Sequence, residues 1–316
     1  MIETATHNNG AVQYGTLVVV IGPTGVGKTD LCLRLATHLD CAIISCDSRQ
    51  IYREMPIGTA APTPEQLARV KHYFIATRSI QDNYNAGQYE LDALKIIADE
   101  LTKHATTLLT GGSMLYVDAV CRGIDNIPAT DPNVRANVHQ LYDREGIDGV
   151  RRYLKLLDPQ HYATVDLNNV QRMLHAIEVC LTAGCPYSAL RTGRVKKRPF
   201  NILKIGLERP RSELNERINL RVLQMMADGL ETEARALYPM RHLNALNTVG
   251  FKELFAYFDG FISRDEAIRQ IQRNTRHYAK KQMTWFKHDM KVRWFHPDDY
   301  DGIAAYTDNF LHDTSC

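Results

Sequence analysis

The stretch Gly22-Pro23-Thr24-Gly25-Val26-Gly27-Lys28-Thr29 fits G-x-x-x-x-G-K-[ST] at every fixed position. Backbone amides of such a loop wrap phosphate oxygens, while the lysine and the hydroxyl reach phosphate and Mg²⁺. The flanks supply the setting this requires. Thr16 to Ile21 reads as a buried parallel strand, and Asp30 to Leu39 as an amphipathic helix. The glycines let the backbone close around an anion, and the helix N-terminus adds partial positive charge. The loop therefore commits the chain to an α/β phosphate-binding core and leaves the reaction open.

Further along, residues 41–47 and 104–112 read as strands that end in polar or glycine residues, the edge at which a parallel sheet keeps its active site. From 127 to 199 the strand signal stops. Helical segments take over, among them residues 133–146 and 167–184, the latter closed by Gly184 as a C-terminal cap. Strand character resumes over 200–208. The chain is thus expected to hold a P-loop α/β parallel-sheet core in two parts, 1–126 and 200–316, with an all-helical insertion over 127–199. A short strand-like segment, Val292 to Pro297, precedes an acidic tail expected to be loosely ordered.

The seven cysteines (Cys32, Cys41, Cys46, Cys121, Cys180, Cys185 and Cys316) are odd in number and never form C-x-x-C. That spacing argues for reduced, mostly buried thiols and against a disulfide framework or a zinc site, the group His175, Cys180 and Cys185 included. The first 15 residues are polar with no basic region, and the apolar run Leu17 to Ile21 is far too short for a bilayer. A cytoplasmic protein without membrane attachment is expected.

Net charge is only +2, but it is unevenly spread. Arg264 to Phe295 holds nine Lys or Arg against three Asp or Glu, and Arg191 to Arg198 holds five basic residues in eight. Within the first segment, Ile268, Ile271, Thr275, Tyr278, Gln282 and Trp285 follow helical spacing on one face. Arg269, Arg273, Arg276, Lys280 and Lys287 follow it on another, roughly 160° away at about 100° per residue. No acid interrupts the cations from Arg269 to Lys287. An ordinary surface helix would intersperse acids for i,i+4 pairing, so this face points to a nucleic-acid backbone.

A P-loop ligand can be cleaved, transferred or sensed. The guanine-reading N-K-x-D of switch GTPases is absent, and the strand ending Thr110-Gly111-Gly112 lacks the acidic terminus of an ATPase motor. Asp47, at the end of the second strand, suits a general base or a carboxylate near Mg²⁺, and it could equally cap a helix.

These segments together resemble the bacterial tRNA dimethylallyltransferase family. "GPTGVGKT", "ISCDSRQIYREMPIGTAAP", "LTGGSMLYVDAV", "DPNVR", "NVQRMLHAIEV", "RINLRVLQMMADGLETEA", "NTVGFKEL" and "TRHYAKKQMTWFK" occur in the family's order over nearly the whole chain. The resemblance implies transfer of a dimethylallyl group from its diphosphate to N6 of the adenosine 3′ of certain anticodons, with Mg²⁺ near Thr29. It further implies that Lys28, Thr29 and the loop Gly22, Pro23, Thr24, Gly25, Val26 and Gly27 hold diphosphate, joined by Arg221. By the same resemblance Asp47 would take the N6 proton, and Ser113, which stands where the family usually has threonine, would help position the substrate.

By the same resemblance the tRNA anticodon stem-loop, embraced by the insertion, meets Asp47, Ser48, Arg49, Gln50, Ser113 and Arg135. It also meets Gln171, Arg172, Met173, Leu174 and His175, then Asn247, Thr248, Val249, Gly250, Phe251 and Lys252. The last group is Arg276, Lys280, Lys281, Gln282 and Lys287. Gln88 stands where the family commonly has aspartate, and the missing C-terminal zinc finger of eukaryotic relatives suggests a bacterial form. A monomer is expected. The rivals are a prenyltransferase acting on free adenine nucleotide, a small-molecule kinase, and a non-catalytic P-loop RNA-binding protein.

Overall fold

The structure is a computed structural model that describes residues 15–315; most of the polar N-terminal stretch and Cys316 lie outside the described residues. Strand β1, Thr16–Ile21, is buried along its whole length. Its side chains alternate between two cores. Leu17, Val19 and Ile21 join one cluster, and Val18 and Val20 join the other. A strand that buries both faces belongs in the middle of a covered parallel sheet, and β1 lies there. With β2 (Ile43–Ser45), β3 (His72–Tyr73), β4 (Thr106–Gly111), β5 (Asn201–Leu207) and β6 (Val292–Phe295), it forms one sheet in the order β3-β2-β4-β1-β5-β6. Every pairing is parallel.

Strand β1 has the bounds the sequence predicts, whereas β2, β4, β5 and β6 are shorter. Residues at their ends, such as Asp47 and Gly112, leave the ladder and become the site. The two-residue strand β3 carries too little periodicity to be read from sequence.

The helices are α1 (Lys28–His38), α2 (Pro64–Arg69), α3 (Ala86–Leu101), α4 (Met114–Cys121), α5 (Pro132–Leu157), α6 (Pro159–Tyr162) and α7 (Val170–Ala183). Then follow α8 (Tyr187–Leu190), α9 (Arg211–Ala227), α10 (Leu230–Leu237), α11 (Phe251–Phe258), α12 (Arg264–Phe286) and α13 (Tyr300–Ser315). Among the described residues no helix is long and apolar enough to cross a membrane.

The chain divides into two compact units, Arg122–Lys196 and the remainder. The first is all helix. Its core joins Val138, Val150 and Leu154 of α5 to Met173, Leu174, Ala176 and Ile177 of α7. Gly146 (φ 62) breaks α5, and Gly184 caps α7 in the left-handed region with its N–H on Cys180 O. Asp131 caps α5 from the Asp-Pro start, its side chain accepting from Asn133 N at 2.7 Å.

Two sequence expectations are corrected. The acidic tail is the ordered helix α13, which buries Ile303 and Thr307 and sets Tyr306 and Phe310 against the second core. Those positions follow an i, i+3, i+4, i+7 pattern that the acidic residues obscured. On α12 the buried residues are Ala267, Ile271, Ala279, Gln282 and Phe286, whereas Tyr278 and Trp285 are 37% and 43% exposed. Small Ala279 lets the helix sit close to the core. Tyr278 and Trp285 become edge residues, and the Trp285 indole N–H donates to Asp118 at 3.0 Å.

Candidate phosphate and nucleic-acid site

Ile21 leaves the sheet directly into the glycine loop. A side chain at Gly22 would put its Cβ 2.7 Å from Leu207 O, and Gly27, the residue before α1, holds φ 112. Neither position admits another residue without strain. Lys28 turns back over the loop, its Nζ donating to Gly22 O and Pro23 O, each at 2.9 Å. Burial of its ammonium, and next Arg221, lower its pKa to about 8, although Asp47 acts in the other direction.

The loop lines a cavity of about 480 Å³ with Lys28, Thr29, Asp47, Gln50, Arg221, Tyr278 and Gln282. It opens where the strands end, as expected for an open α/β sheet. Asp47 Oδ1 accepts from the backbone amides of Arg49 (2.8 Å) and Gln50 (3.3 Å), and among the described residues Oδ2 makes no hydrogen bond. One oxygen therefore builds the turn while the other remains available for chemistry. The turn takes the place of the helix cap read from the sequence, since the next helix begins only at Pro64. Arg221 reaches Ala60 O at 3.4 Å, a carbonyl that Gln50 Nε2 also approaches at 3.1 Å. Burial lowers the Arg221 pKa against the opposing pull of Asp47.

Several residues assigned to substrate contact bond or pack within the protein. Ser113 is buried; its Oγ accepts from Ser48 N at 2.8 Å and donates to Ser48 Oγ at 3.0 Å, so it braces the Asp47 turn. Arg49 holds Asn244 O and Ala245 O, both at 3.1 Å. Met173 and Leu174 lie in the helical core, and Phe251 and Gly250 are buried in the sheet unit. The side chains of Met173, Leu174 and Phe251 thus face the core, because each matched segment includes a helix with one face packed inward, and Gly250 is the residue before α11. On the outward faces Gln171, Arg172 and His175 are exposed, as are Asn247 and Lys252, with Thr248 and Val249 half-buried. Arg135 is exposed and pairs with Glu178 at 3.3 Å.

Along α12 the cations stand outward, but not all stand unpaired. Arg269 pairs with Glu266 at 2.9 Å, Lys287 with Glu208 at 2.8 Å, and Arg276 donates to Asn219. Among the described residues Arg273, Lys280 and Lys281 form no ion pair. Gln282, expected on RNA, is 2% exposed, accepting from Thr24 N at 2.9 Å and donating to Gly112 O at 2.8 Å. It joins the loop to the end of β4.

Sequence reasoning missed two arginines. Arg217 lines the cavity one turn before Arg221, with Nε donating to Gly25 O at 3.0 Å. The i,i+4 spacing of the two on α9 could have revealed it. Arg209, behind the loop, donates from Nε to Val26 O at 2.9 Å, and no motif marks it. Gln88 also has a local explanation: with Asn85 it forms a reciprocal capping box at the start of α3, two bonds of 3.0 Å each. The described cysteines are free thiols, and all but Cys185 are buried. Burial pushes Cys32, in the cavity wall, up to about 12.

Comparison with known proteins adds an independent finding. The model of the family described as IPP transferase matches residues 50–289. The tRNA dimethylallyltransferase 2 of Porphyromonas gingivalis is 59% identical over 92% of this chain and 97% of its own length. The tRNA dimethylallyltransferase 1 of Bacteroides fragilis is 54% identical over the same shares, 92% and 97%. Among solved structures, the full-length tRNA isopentenylpyrophosphate transferase of Bacillus halodurans superposes with a TM-score of 0.70 at 32% identity, covering 95% of this chain and 98% of that one.

Proposed function

Because the chain belongs to the IPP transferase family, we propose that it transfers a dimethylallyl group from dimethylallyl diphosphate to N6 of the adenosine immediately 3′ of the anticodon in certain tRNAs. The observation that carries this reading is a single cavity lined by the loop, Lys28, Thr29, Arg217, Arg221 and Asp47. It combines an anion cradle with a carboxylate that has one oxygen to spare.

In the transfer, the bond from the allylic carbon to the diphosphate oxygen breaks and the bond from that carbon to N6 forms. Charge develops on the leaving diphosphate, where loop amides, Lys28 and the two arginines stabilise it. The proton lost from N6 passes to Asp47 Oδ2. Tyr278, half-exposed at the cavity, offers an aromatic face to an adenine that has left its stack.

Mg²⁺ suits this oxygen-rich site. Among the described residues no cluster of three His, Cys, Asp or Glu could cage a metal, and Mg²⁺ beside a diphosphate uses only one or two protein oxygens. The Thr29 hydroxyl would provide one, with diphosphate oxygens completing the set, and Asp47 Oδ2 stays free for the N6 proton. Such an ion supplies further neutralisation of the leaving group.

The exposed cations of α12 and the outward faces of the helical unit, including Arg135, Arg172 and His175, are the surfaces we assign to the anticodon stem-loop. The enzyme is read as a cytoplasmic monomer. Incubation with labelled dimethylallyl diphosphate and either bulk tRNA or AMP tests the reading. Label in tRNA supports it, label in AMP assigns a nucleotide prenyltransferase, and label in neither removes the transferase assignment.

A further inference from the structure

The side chain of Arg209 is only 7% exposed and does not line the cavity. It nevertheless touches the loop. Its Nε donates to Val26 O at 2.9 Å, while its terminal nitrogens engage Glu213 at the start of α9 and Asp298 after β6. Three segments thus converge on one guanidinium behind the anion cradle.

The peptide plane explains what that contact does. In a trans peptide the carbonyl of Val26 and the amide N–H of Gly27 point in opposite directions, and the described chain has no cis bond. Drawing Val26 O backward onto Arg209 turns the Gly27 N–H forward. Gly27 lines the cavity, and among the described residues no acceptor takes its N–H. Gly27 also sits at φ 112, where glycine's freedom permits the peptide to rotate. A donor that has no protein partner and could swing away is thereby held on the side where an anion arrives.

The neighbouring peptide behaves differently. Arg217 holds Gly25 O, but the matching Val26 N–H already approaches Pro23 O at 3.4 Å, inside the loop. Arg217 lies in the cavity wall and can meet the ligand itself. Arg209 cannot, so its influence has to pass through the backbone.

We propose that Arg209 is a positioning residue that aims the Gly27 amide at the diphosphate through its Nε bond to Val26 O. The inference rests on the reading of the loop as a diphosphate site. Preorganised amide donors are effective because they need no rearrangement when the anion binds. A donor lost to rotation removes about one charge-assisted hydrogen bond, roughly a tenfold change in affinity.

Calorimetric titration of the full chain with inorganic diphosphate separates the possibilities. Arg209→Gln removes both the Val26 bond and the ion pairs. Arg209→Lys keeps a positive charge for the two acids, which protects folding, but has no Nε donor in the required place. Asp298→Asn weakens the ion pair and leaves the Val26 bond. Both arginine variants are expected to bind diphosphate about tenfold more weakly, with Asp298→Asn within about twofold of the unaltered chain and tRNA affinity unchanged in all three. Equal weakening in Arg209→Lys and Asp298→Asn would assign the effect to the ion pair and overturn the proposal. Unchanged affinity in Arg209→Lys would overturn it as well. If the unaltered chain itself binds no diphosphate, the reading of the loop fails first and the inference with it.

Discussion

Gln282 accepts a hydrogen bond from the Thr24 amide at 2.9 Å across 258 positions of chain. Because the same side chain donates to Gly112 O, one buried glutamine on the cationic helix links the phosphate loop to the end of β4. Replacing it by leucine leaves an amide and a carbonyl without partners, and each unsatisfied buried group costs about 1–3 kcal/mol. Gln282→Leu is expected to lower the melting temperature and weaken diphosphate binding together. A variant that melts normally while losing tRNA affinity would instead restore Gln282 to the RNA surface.

Lys28 gives the donor site a definite pH dependence. Its pKa in the folded protein is about 8, below the ordinary 10.5, owing first to burial and then to Arg221. A bound diphosphate favours the ammonium and raises that pKa again. Binding should therefore take up a proton above pH 8, and affinity should fall by up to about tenfold per unit there, with no contribution from this group below it. Stability carries the opposite sign: the unfolded chain binds more protons between about 8 and 10.5, so the cost of burying Lys28 fades as pH rises through that window. Titrations in buffers of different ionisation enthalpy count the proton, and Lys28→Met should abolish both the uptake and prenyl transfer while tRNA still binds.

Asp47 uses one oxygen for the turn, and the proposed transfer gives the other the N6 proton. Asp47→Asn keeps an acceptor for the Arg49 and Gln50 amides but removes the base. Turnover should fall by about 10²–10⁴ with the fold and both substrate affinities nearly unchanged. Asp47→Ala should lose the turn as well, so its affinities should fall too. Near-normal turnover in Asp47→Asn would leave this carboxylate with the turn alone.

Why were some of these features legible and others not? The glycine loop, Lys28, Thr29 and Asp47 could be read because local chemistry dictates them: a strand, a tight anion-binding turn and a strand end are written in adjacent residues. Arg209, Gln282 and Ser113 act through partners more than 60 positions away, and no local pattern encodes such a meeting. The matched motifs also mix two kinds of residue. Within residues 171–175, Met173 and Leu174 build the core while Gln171, Arg172 and His175 face outward, so a motif marks a helix more reliably than it marks contacts. For the tail, acidic composition hid the apolar spacing of Ile303, Tyr306, Thr307 and Phe310.

The cationic face of α12 makes the most direct test of the RNA substrate. Arg269, Arg276 and Lys287 already have protein partners, so neutralising them exchanges one local interaction for another. Arg273, Lys280 and Lys281 are exposed without an ion pair among the described residues, which makes them the better phosphate contacts. Each contact releases counterions from the RNA, and losing one should reduce the log–log slope of tRNA affinity against salt by roughly 0.7–0.9. Arg273→Gln, Lys280→Gln and Lys281→Gln should each show this reduction and leave diphosphate binding intact. Arg269→Gln should show little, because Glu266 already neutralises that charge. Affinities measured at several salt concentrations decide between a phosphate-binding face and a solvated one: slopes unchanged in all three of the first variants would make α12 an ordinary surface helix and move the RNA contacts to the helical unit.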